Sequence, residues 1–306
     1  MKLRAGTRGS KLALKQVEIF RDEFLKLYPD ISLEIVKIST KGDKITDAPL
    51  SKIGSKGLFV KEIEDALIKG DIDLAVHSLK DMPSELPKGL ILAGVLKRES
   101  PLDVFISDKA GSIFSLKEGN IGTSSLRRKV IIKRYFPHLI SQDLRGNLDT
   151  RIRKMKEGLY SGIIVSYAGL IRMNWENFAT EVLPVDMFVP SGGQGVIAIE
   201  CREKDREIIK MVEGVSDRQT SIEITAERAF LKIMGAGCQV PMGVNASVID
   251  GRIEMVAFIS DLKAERFIQI KTEGSVEEAE NLGRKLGERI LEMGGRDILR
   301  EIYETS

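Results

Sequence analysis

Residues 59–76, with the sequence FVKEIEDALIKGDIDLAV, decide the fold class of the chain. The apolar residues of the first part fall at helical spacing, so a helix is predicted over 59–68. Residues 72–76 form a short apolar run, which is typical of a buried strand. Upstream lie two strand-like runs, 3–6 and 32–39, with a helical pattern between them. The order βαβαβ indicates a parallel sheet covered by helices.

A second series of alternating strands and helices follows, and it repeats the first in kind. A further strand at 90–96 precedes it, and Glu99-Ser100-Pro101 interrupts the pattern between the two series. We predict a crossing into a second domain at this interruption. The second series comprises strands at 104–106, near 121, at 139–144 and at 163–166, and helices at 125–135 and 149–157.

Residues 190–195, Pro-Ser-Gly-Gly-Gln-Gly, are the strongest signal of a flexible segment in the chain. The apolar strand at 196–199 is predicted to return the chain to the first sheet. After Asp217 the pattern changes to helices beside three strands, the first two joined by a hairpin turn at Asp250-Gly251. Such an arrangement is typical of a small α+β domain with an antiparallel sheet. Its elements are helices at 220–234 and 276–293 and strands at 244–249, 252–260 and 266–272.

Three domains are therefore predicted, two of them α/β and doubly wound. The first consists of residues 1–98 and 195–216, and the second of residues 99–194. The third, residues 217–306, is the α+β domain. A chain of 306 residues is long enough to bury several sizeable cores.

Composition excludes several classes of protein. The 47 basic and 45 acidic side chains are too evenly balanced for a general nucleic-acid binder, so any strong anion site must be local. No apolar run approaches the roughly 20 residues that cross a bilayer, and the start lacks a secretory signal, so we expect no membrane partner and a cytoplasmic location. Two cysteines and two histidines without ligand spacing argue against a metal site.

The arginines mark the most informative pattern. Arg8, Arg127, Arg128, Arg145 and Arg172 each lie at or soon after the carboxyl end of a predicted strand, which is the edge where open α/β sheets bind ligands. Two of them, Arg127 and Arg128, fall in the first turn of a helix, where the macrodipole disfavours a cation by about 0.3–1 kcal/mol. An anionic ligand is expected to relieve this conflict. For any single arginine, a solvated surface charge remains the alternative.

A second candidate segment, His77 to Pro83, follows the buried strand 72–76. Neighbouring residues of an extended chain point to opposite faces, so His77 and Ser78 are not expected to form a catalytic dyad. Asp81 is suited to act as a proton donor and acceptor or to stabilise a developing cation, and the alternative is a residue that only caps a turn. Lys80 and Ser78 are suited to bind anions beside it.

The sequence predicts different roles for the two cysteines. Cys201 ends an apolar strand and is interpreted as a packed thiol. Cys238 lies in the loop 235–241, where glycines permit close approach of another group. The helix that precedes this loop ends in the negative pole of its dipole, so a reactive resting thiolate is not expected. A covalent attachment point and an inert loop cysteine both remain open for Cys238.

Several motifs, in order, resemble those of the porphobilinogen deaminase family, also called hydroxymethylbilane synthases. Small departures occur at Ser55, Val196 and Ala236, where this family often has Gly, Ala and Gly. The matching stretches are Thr7–Ser10, Lys41–Asp43, Lys56–Glu62, Ala75–Asp81, Gly122–Arg128, Leu144–Asn147, Gln194–Gly195 and Gly237–Pro241.

The resemblance implies a transferase of tetrapyrrole and heme biosynthesis that joins four porphobilinogen molecules, with loss of ammonia, into hydroxymethylbilane. It implies two domains similar to periplasmic anion-binding proteins and a monomeric state. It further implies a dipyrromethane cofactor bonded by a thioether to Cys238, and places Asp81 as the residue that assists departure of ammonia.

The same resemblance implies that basic and hydroxyl side chains bind the carboxylates of the cofactor and substrate. An alternative from another class is a two-lobed carboxylate-binding protein without catalysis, and another is a cysteine-dependent hydrolase. The binding residues implied are Arg8, Ser10, Lys56, Phe59, Ser78, Lys80, Thr123, Ser124, Ser125, Arg127, Arg128, Arg145, Gly146, Arg151, Arg172 and Gln194.

Overall fold

The computed structural model describes most of the chain in two compact units. The first unit lies within residues 1–45, 55–99 and 195–221, and the second within residues 100–194 and 222–306. The division into three domains stays a prediction. The described residues are 1–44, 57, 59–235, 237 and 239–305.

The secondary structure alternates as the sequence predicts until the second crossing. The strands are β1 (Lys2–Arg8), β2 (Ser32–Ile38), β3 (Leu74–Ser78), β4 (Leu90–Val95), β5 (Asp103–Ile106), β6 (Gly119–Gly122), β7 (Leu139–Gln142), β8 (Gly162–Ser166), β9 (Glu181–Val182), β10 (Ile197–Arg202), β11 (Met242–Ile249), β12 (Arg252–Ser260) and β13 (Phe267–Ser275). The helices are α1 (Lys11–Leu27), α2 (Lys41–Lys44), α3 (Lys61–Lys69), α4 (Leu126–Tyr135), α5 (Leu148–Lys156), α6 (Tyr167–Arg172), α7 (Arg206–Val215), α8 (Arg218–Met234), α9 (Ala279–Ile290) and α10 (Arg296–Thr305).

Helix α1 shows how sequence and packing agree in the first unit. The Ser10 hydroxyl accepts a hydrogen bond from the N–H of Ala13 at 3.2 Å, which confirms the predicted cap. Val17, Phe20 and Phe24 follow at helical spacing and are fully buried against the sheet. Each such side chain contributes about 1.5–3 kcal/mol to folding, so this face anchors α1.

The first sheet has the strand order β2-β1-β3-β10-β4 and carries an apolar core on each face. Strand β1 runs parallel to β2 and β3, whereas β10 runs antiparallel to β3 and β4. The return of the chain to this sheet after the second crossing is thus confirmed. The parallel arrangement predicted for the first three strands is confirmed, and the returning strand enters in the opposite direction, so the complete sheet is mixed.

The second sheet repeats this topology with the order β7-β6-β8-β5-β9. Strand β6 is parallel to β7 and β8, and β5 is antiparallel to β8 and β9. In both sheets the antiparallel strand is the fourth in order and follows a crossing. Apolar clusters cover both faces here too, so the two doubly wound lobes are confirmed.

The C-terminal part forms the predicted three-stranded antiparallel sheet, β11-β12-β13. Asp250 and Gly251 both have positive φ, 49° and 76°, as the turn between β11 and β12 requires. The helix predicted over 276–293 is shorter, because a π turn over Leu291–Gly295 separates α9 from α10. Gly294 supplies the φ of +111° at this break.

None of the helices in the described part of the chain combines the length and apolar character that a membrane span needs.

Candidate functional site

The first cluster of predicted residues lies at one edge of the first sheet. Because β1 and β3 run parallel, their carboxyl ends bring Arg8 and Ser78 to the same edge. The chain continues from Ser78 into a single 3₁₀ turn, Leu79–Asp81. Arg8 Nη1 lies 3.9 Å from Asp81 Oδ2, so the predicted basic residue and the predicted acid are neighbours.

Two side chains orient the Arg8 guanidinium. Its Nη2 donates to Asp43 Oδ1 at 2.5 Å, and its Cζ lies over the Phe59 ring, 4.2 Å from the ring centroid. Burial, the largest single influence, raises the pKa of Asp43, but the hydrogen bond and charge of Arg8 and the hydrogen bonds from Thr40 together outweigh burial and hold this pKa below its usual value. Arg8 is therefore held as a cation in a fixed position beside Asp81.

Backbone contacts fix the turn that carries Asp81. The N–H of Leu79 donates to the carbonyl of Val196 at 3.0 Å, and that of Met82 donates to the carbonyl of Leu79 at 3.0 Å. The Asp81 side chain keeps one third of its surface exposed. A carboxylate on a rigid turn, accessible to a ligand, fits the predicted role, and Lys80 lies on the same turn.

Ser78 and His77 point to opposite faces of the sheet, as the sequence predicts. The Ser78 hydroxyl and the Gln16 side-chain amide hydrogen-bond to each other at 2.8–3.0 Å. His77 Nε2 instead lies 3.0 Å from Glu200 Oε2, and both side chains are buried. These two residues therefore form no catalytic dyad.

The second cluster lies at the equivalent edge of the second sheet. Since β6, β7 and β8 run parallel, the residues after them share one edge. Thr123 is buried there, and its hydroxyl accepts the N–H of Ser125 at 3.3 Å. Ser124 bridges to the next loop through the backbone of Leu144, at 2.8 Å to the carbonyl and 3.1 Å from the N–H. The predicted hydroxyl residues thus brace the loop that precedes α4.

Asp103, a residue that the sequence interpretation did not select, lies at the centre of this cluster. Its carboxylate accepts two hydrogen bonds from Arg127, at 2.8 and 3.1 Å, and two from Arg128, at 3.0 and 2.7 Å. Gln194 Nε2 adds a fifth at 2.8 Å. All four side chains are at least nine-tenths buried. One carboxylate therefore orients both predicted arginines and the predicted glutamine.

The electrostatics of Asp103 bear on one expectation. Burial alone raises the pKa of this carboxyl, but the Arg127 and Arg128 guanidiniums outweigh burial and hold it well below its usual range. A bound ligand was expected to compensate these two first-turn cations, and the carboxylate of Asp103 already compensates one of the two charges. One negative charge faces two positive charges, so the group keeps a net positive charge that suits an anionic ligand.

The remaining predicted residues of the second cluster occupy the loops and helices that follow the strands. Gly146 has a φ of +110°, and its carbonyl accepts from Arg151 Nε at 2.8 Å. The Arg145 carbonyl accepts from Lys154 Nζ at 3.3 Å. Arg172 is buried at the end of α6, a helix that the sequence analysis did not predict. Arg172 therefore lies one short helix beyond the carboxyl end of β8.

Two predicted residues, Lys56 and Cys238, lie outside the described residues. Cys201 lies on β10 and is fully buried, and burial raises the pKa of its thiol to about 12. The interpretation of Cys201 as a packed thiol is confirmed. It offers no thiolate for bond formation near neutral pH.

Three residues that contact members of the two clusters were not predicted as site residues. Gln16 and Asp43 contact Ser78 and Arg8, and Asp103 joins Arg127 to Arg128. Asp103 stands alone among apolar residues just after the predicted crossing, and that isolated charge was the available signal. The sequence did not predict that Asp103 lies at the site. Asp103 is the first residue of β5, and in a parallel strand the first residue would lie at the opposite edge of the sheet.

No group of three or more metal-ligating side chains with suitable geometry occurs in the described ranges of the chain. The two clusters present a partly exposed carboxylate beside a fixed guanidinium in one unit and a net-positive guanidinium group in the other.

Two sequence profiles match the chain. The profile described as "Porphobilinogen deaminase, dipyromethane cofactor binding domain" matches residues 3–210, and "Porphobilinogen deaminase, C-terminal domain" matches residues 221–292. Together they span most of both units.

Curated relatives match over nearly their full length. Proteins named porphobilinogen deaminase are similar to this chain at 43% identity in Trichlorobacter lovleyi, covering 99% of this chain and 97% of the relative, and at 44% identity in Syntrophus aciditrophicus, covering 99% of each. The namesake from Synechococcus elongatus is 40% identical, with 99% and 96% covered. Among solved structures, the periplasmic VFT2 domain of Bordetella pertussis BvgS aligns at a TM-score of 0.43 and 12% identity, covering 75% of this chain and 91% of that domain.

Proposed function

The chain belongs to the porphobilinogen deaminase family, and on this premise we propose that it joins four porphobilinogen molecules head to tail into hydroxymethylbilane. At each addition the aminomethyl carbon–nitrogen bond breaks and ammonia leaves with the electron pair. A carbon–carbon bond then forms at the free α-carbon of the growing chain, and that carbon loses its proton. Water releases the finished tetrapyrrole.

The observation that carries the proposal is the pairing of Asp81 with Arg8 at one sheet edge, with 3.9 Å between their charged groups. Loss of ammonia gives the pyrrole cationic character, which a fixed carboxylate stabilises strongly where water is scarce. Asp81 supplies that carboxylate on a rigid turn. Arg8, held by Asp43 and Phe59, is placed to bind a substrate carboxylate at the same time.

The second unit supports binding of the growing chain. Each porphobilinogen carries an acetate and a propionate, so the number of carboxylates rises with every addition. The Arg127 and Arg128 pair remains net positive after Asp103 is counted, and buried cations attract carboxylates more strongly than solvated ones. Arg145, Arg151 and Arg172 lie on the elements that follow the neighbouring strands of this unit.

The residues present fit a dipyrromethane cofactor, which carries four carboxylates and needs a sulfur for attachment. Net positive charge at the edge of the second sheet suits the carboxylates. The chain has two cysteines, and Cys201 is buried with a thiol pKa of about 12. Elimination therefore supports Cys238 as the thioether position. When bound, the cofactor supplies the free α-carbon that accepts the first substrate.

Intact-protein mass spectrometry tests the attachment. We expect the purified protein to weigh more than its sequence by two linked pyrroles and to turn red with Ehrlich's reagent. Cys238→Ser should lack both the mass and the colour. Cys201→Ala is the matched control, and it should keep both, because the buried thiol takes no part.

An unmodified wild-type mass, or an adduct that survives in the Cys238 variant, would rule out this attachment. The first result would also favour the alternative, a two-lobed carboxylate-binding protein, over the enzyme. The hydrolase alternative is not supported, because His77 is buried against Glu200 and Cys201 is buried on β10.

We further propose a cytoplasmic monomer of three domains, bounded as the sequence predicts, without nucleic-acid or membrane partners. The balanced charge of 47 basic and 45 acidic residues supports the absence of a general polyanion partner. Light scattering coupled to size exclusion tests the monomer, and a mass near twice 34.0 kDa would contradict it.

A further inference from the structure

The first unit buries two carboxyl side chains and one imidazole that the proposed chemistry does not use. Glu64 on α3 is 6% exposed, His77 on β3 is 4% exposed, and Glu200 on β10 is fully buried. His77 shares its sheet face with Ala75, which packs against the apolar side of α3 and faces Glu200 across the strands. The three side chains therefore lie between the sheet and α3.

Hydrogen bonds satisfy only some of the polar side-chain atoms of these three residues. His77 Nε2 lies 3.0 Å from Glu200 Oε2, and this contact satisfies one carboxylate oxygen. Glu64 Oε1 and Glu200 Oε1 are both buried and have no hydrogen-bond partner within the described part of the chain. Buried acceptors without donors are costly, so the cluster is short of a proton donor.

A count of charges leads to the same conclusion. A single imidazole can compensate at most one carboxylate charge, so a second ionised carboxylate in this apolar site stays uncompensated. The charged neighbours that act on Glu64 are Glu200 and His77 from the sheet and Asp65 from its own helix. Burial foremost, and then the Glu200 charge, raise the pKa of Glu64 from 4.5 to about 7, although His77 opposes this.

We propose that Glu64 is a positioning residue that is protonated inside the folded first unit, and that loss of this proton to solvent loosens α3. The effect on turnover rests on the proposed function. Helix α3 begins at Lys61, two residues after Phe59, and the Phe59 ring supports the Arg8 guanidinium at 4.2 Å. Displacement of α3 therefore shifts the Phe59 ring and, with it, the position of the Arg8 guanidinium beside Asp81.

The sign of the stability effect follows from the raised pKa. Protonated Glu64 contributes stability that is fully present below its ordinary pKa of 4.5 and is lost as the pH rises through about 7. Glutamine stays neutral at every pH. We therefore expect Glu64→Gln to change the free energy of unfolding little in acid and to increase it in base.

Thermal unfolding at several pH values tests this without any substrate. We expect Glu64→Gln to match the wild-type Tm at pH 5 and to exceed it by about 3 °C at pH 8.5. Glu207→Gln, an exposed carboxylate on α7, is the control and should show no such pH dependence. A Tm difference for Glu64→Gln that is constant with pH overturns the proposal.

The pH profile of turnover tests the link to Arg8. Wild-type kcat should fall as the pH rises above about 7, and Glu64→Gln should move this alkaline limb up by at least half a pH unit. An unmoved limb overturns the positioning role. If Glu64→Gln does not fold, Glu64→Met removes the same proton. Failure of catalysis altogether would refute the proposed function, while the unfolding result would still stand for Glu64.

Discussion

Asp81 is the residue on which turnover depends most directly. In Asp81→Asn the amide keeps the shape of the side chain but removes the negative charge that stabilises a cationic pyrrole. We expect kcat to fall by about 100-fold or more, with substrate binding largely kept, because the arginines remain. Steady-state kinetics with porphobilinogen measure both quantities.

The control for Asp81 is Glu85→Gln, an exposed carboxylate four residues further along the chain. It should retain wild-type turnover. Asp81→Asn with kcat close to that of wild type would remove Asp81 from its proposed role and leave it as a turn residue.

Asp103 carries the strongest stability prediction at the scale of single residues. Asp103→Asn leaves two buried guanidiniums without a carboxylate, and breaking a buried pair in this way costs about 3–5 kcal/mol in the free energy of unfolding. Urea unfolding at pH 7 measures the loss. The control is Asp143→Asn, whose partner Lys129 is partly exposed and whose loss should cost at most about 1 kcal/mol.

The pH dependence of the Asp103 variant has a definite sign. A carboxyl whose pKa is lowered in the folded protein contributes stability above its ordinary pKa of 3.8, and this contribution is lost as the pH falls towards the folded value. The difference in the free energy of unfolding between wild type and Asp103→Asn should therefore become smaller in acid. Equal stabilities at pH 7 would show that the pair adds nothing.

At the scale of elements, most strands were predictable, although the two-residue strand β9 was not predicted, and the direction of the strands that follow the crossings was not predictable. Apolar runs gave β5 and β10 to within a few residues, because burial on both faces leaves a clear pattern. Direction depends on how the crossing returns to the sheet, and no local pattern encodes it. For this reason the contact between Asp103 and Gln194 was not predicted. It exists because the antiparallel direction of β5 brings its first residue, Asp103, to the ligand edge.

Short helices were missed for a different reason. Helix α7 has buried residues at 208, 209 and 212, a helical spacing that a longer window would have detected. Helix α6 spans only Tyr167–Arg172, too short for a periodic signal. The arginine motifs nevertheless located the edges of both sheets, because strand ends and charged loops are local features of the sequence.

At the scale of the whole molecule, each crossing supplies the antiparallel strand of the sheet that it enters. Gly193 belongs to the second crossing, with a φ of +74° and an N–H that donates to Glu227 Oε2 at 2.6 Å. A side chain is disfavoured at this φ, so glycine there suits a segment that changes direction sharply. We propose that the two crossings are the hinges that let successive pyrroles reach Asp81.

Growth of the product on a tethered cofactor makes hinge motion measurable. Mixed with porphobilinogen, the protein should show a ladder of masses with equal spacing, each step one substrate less one ammonia. A bifunctional amine reagent that joins the two units should stop the ladder before the fourth addition, because the chain then cannot be repositioned. The monofunctional reagent, which modifies the same lysines without a crosslink, is the control and should permit all four additions. Crosslinked protein that completes the ladder at the control rate would show that no hinge movement is required.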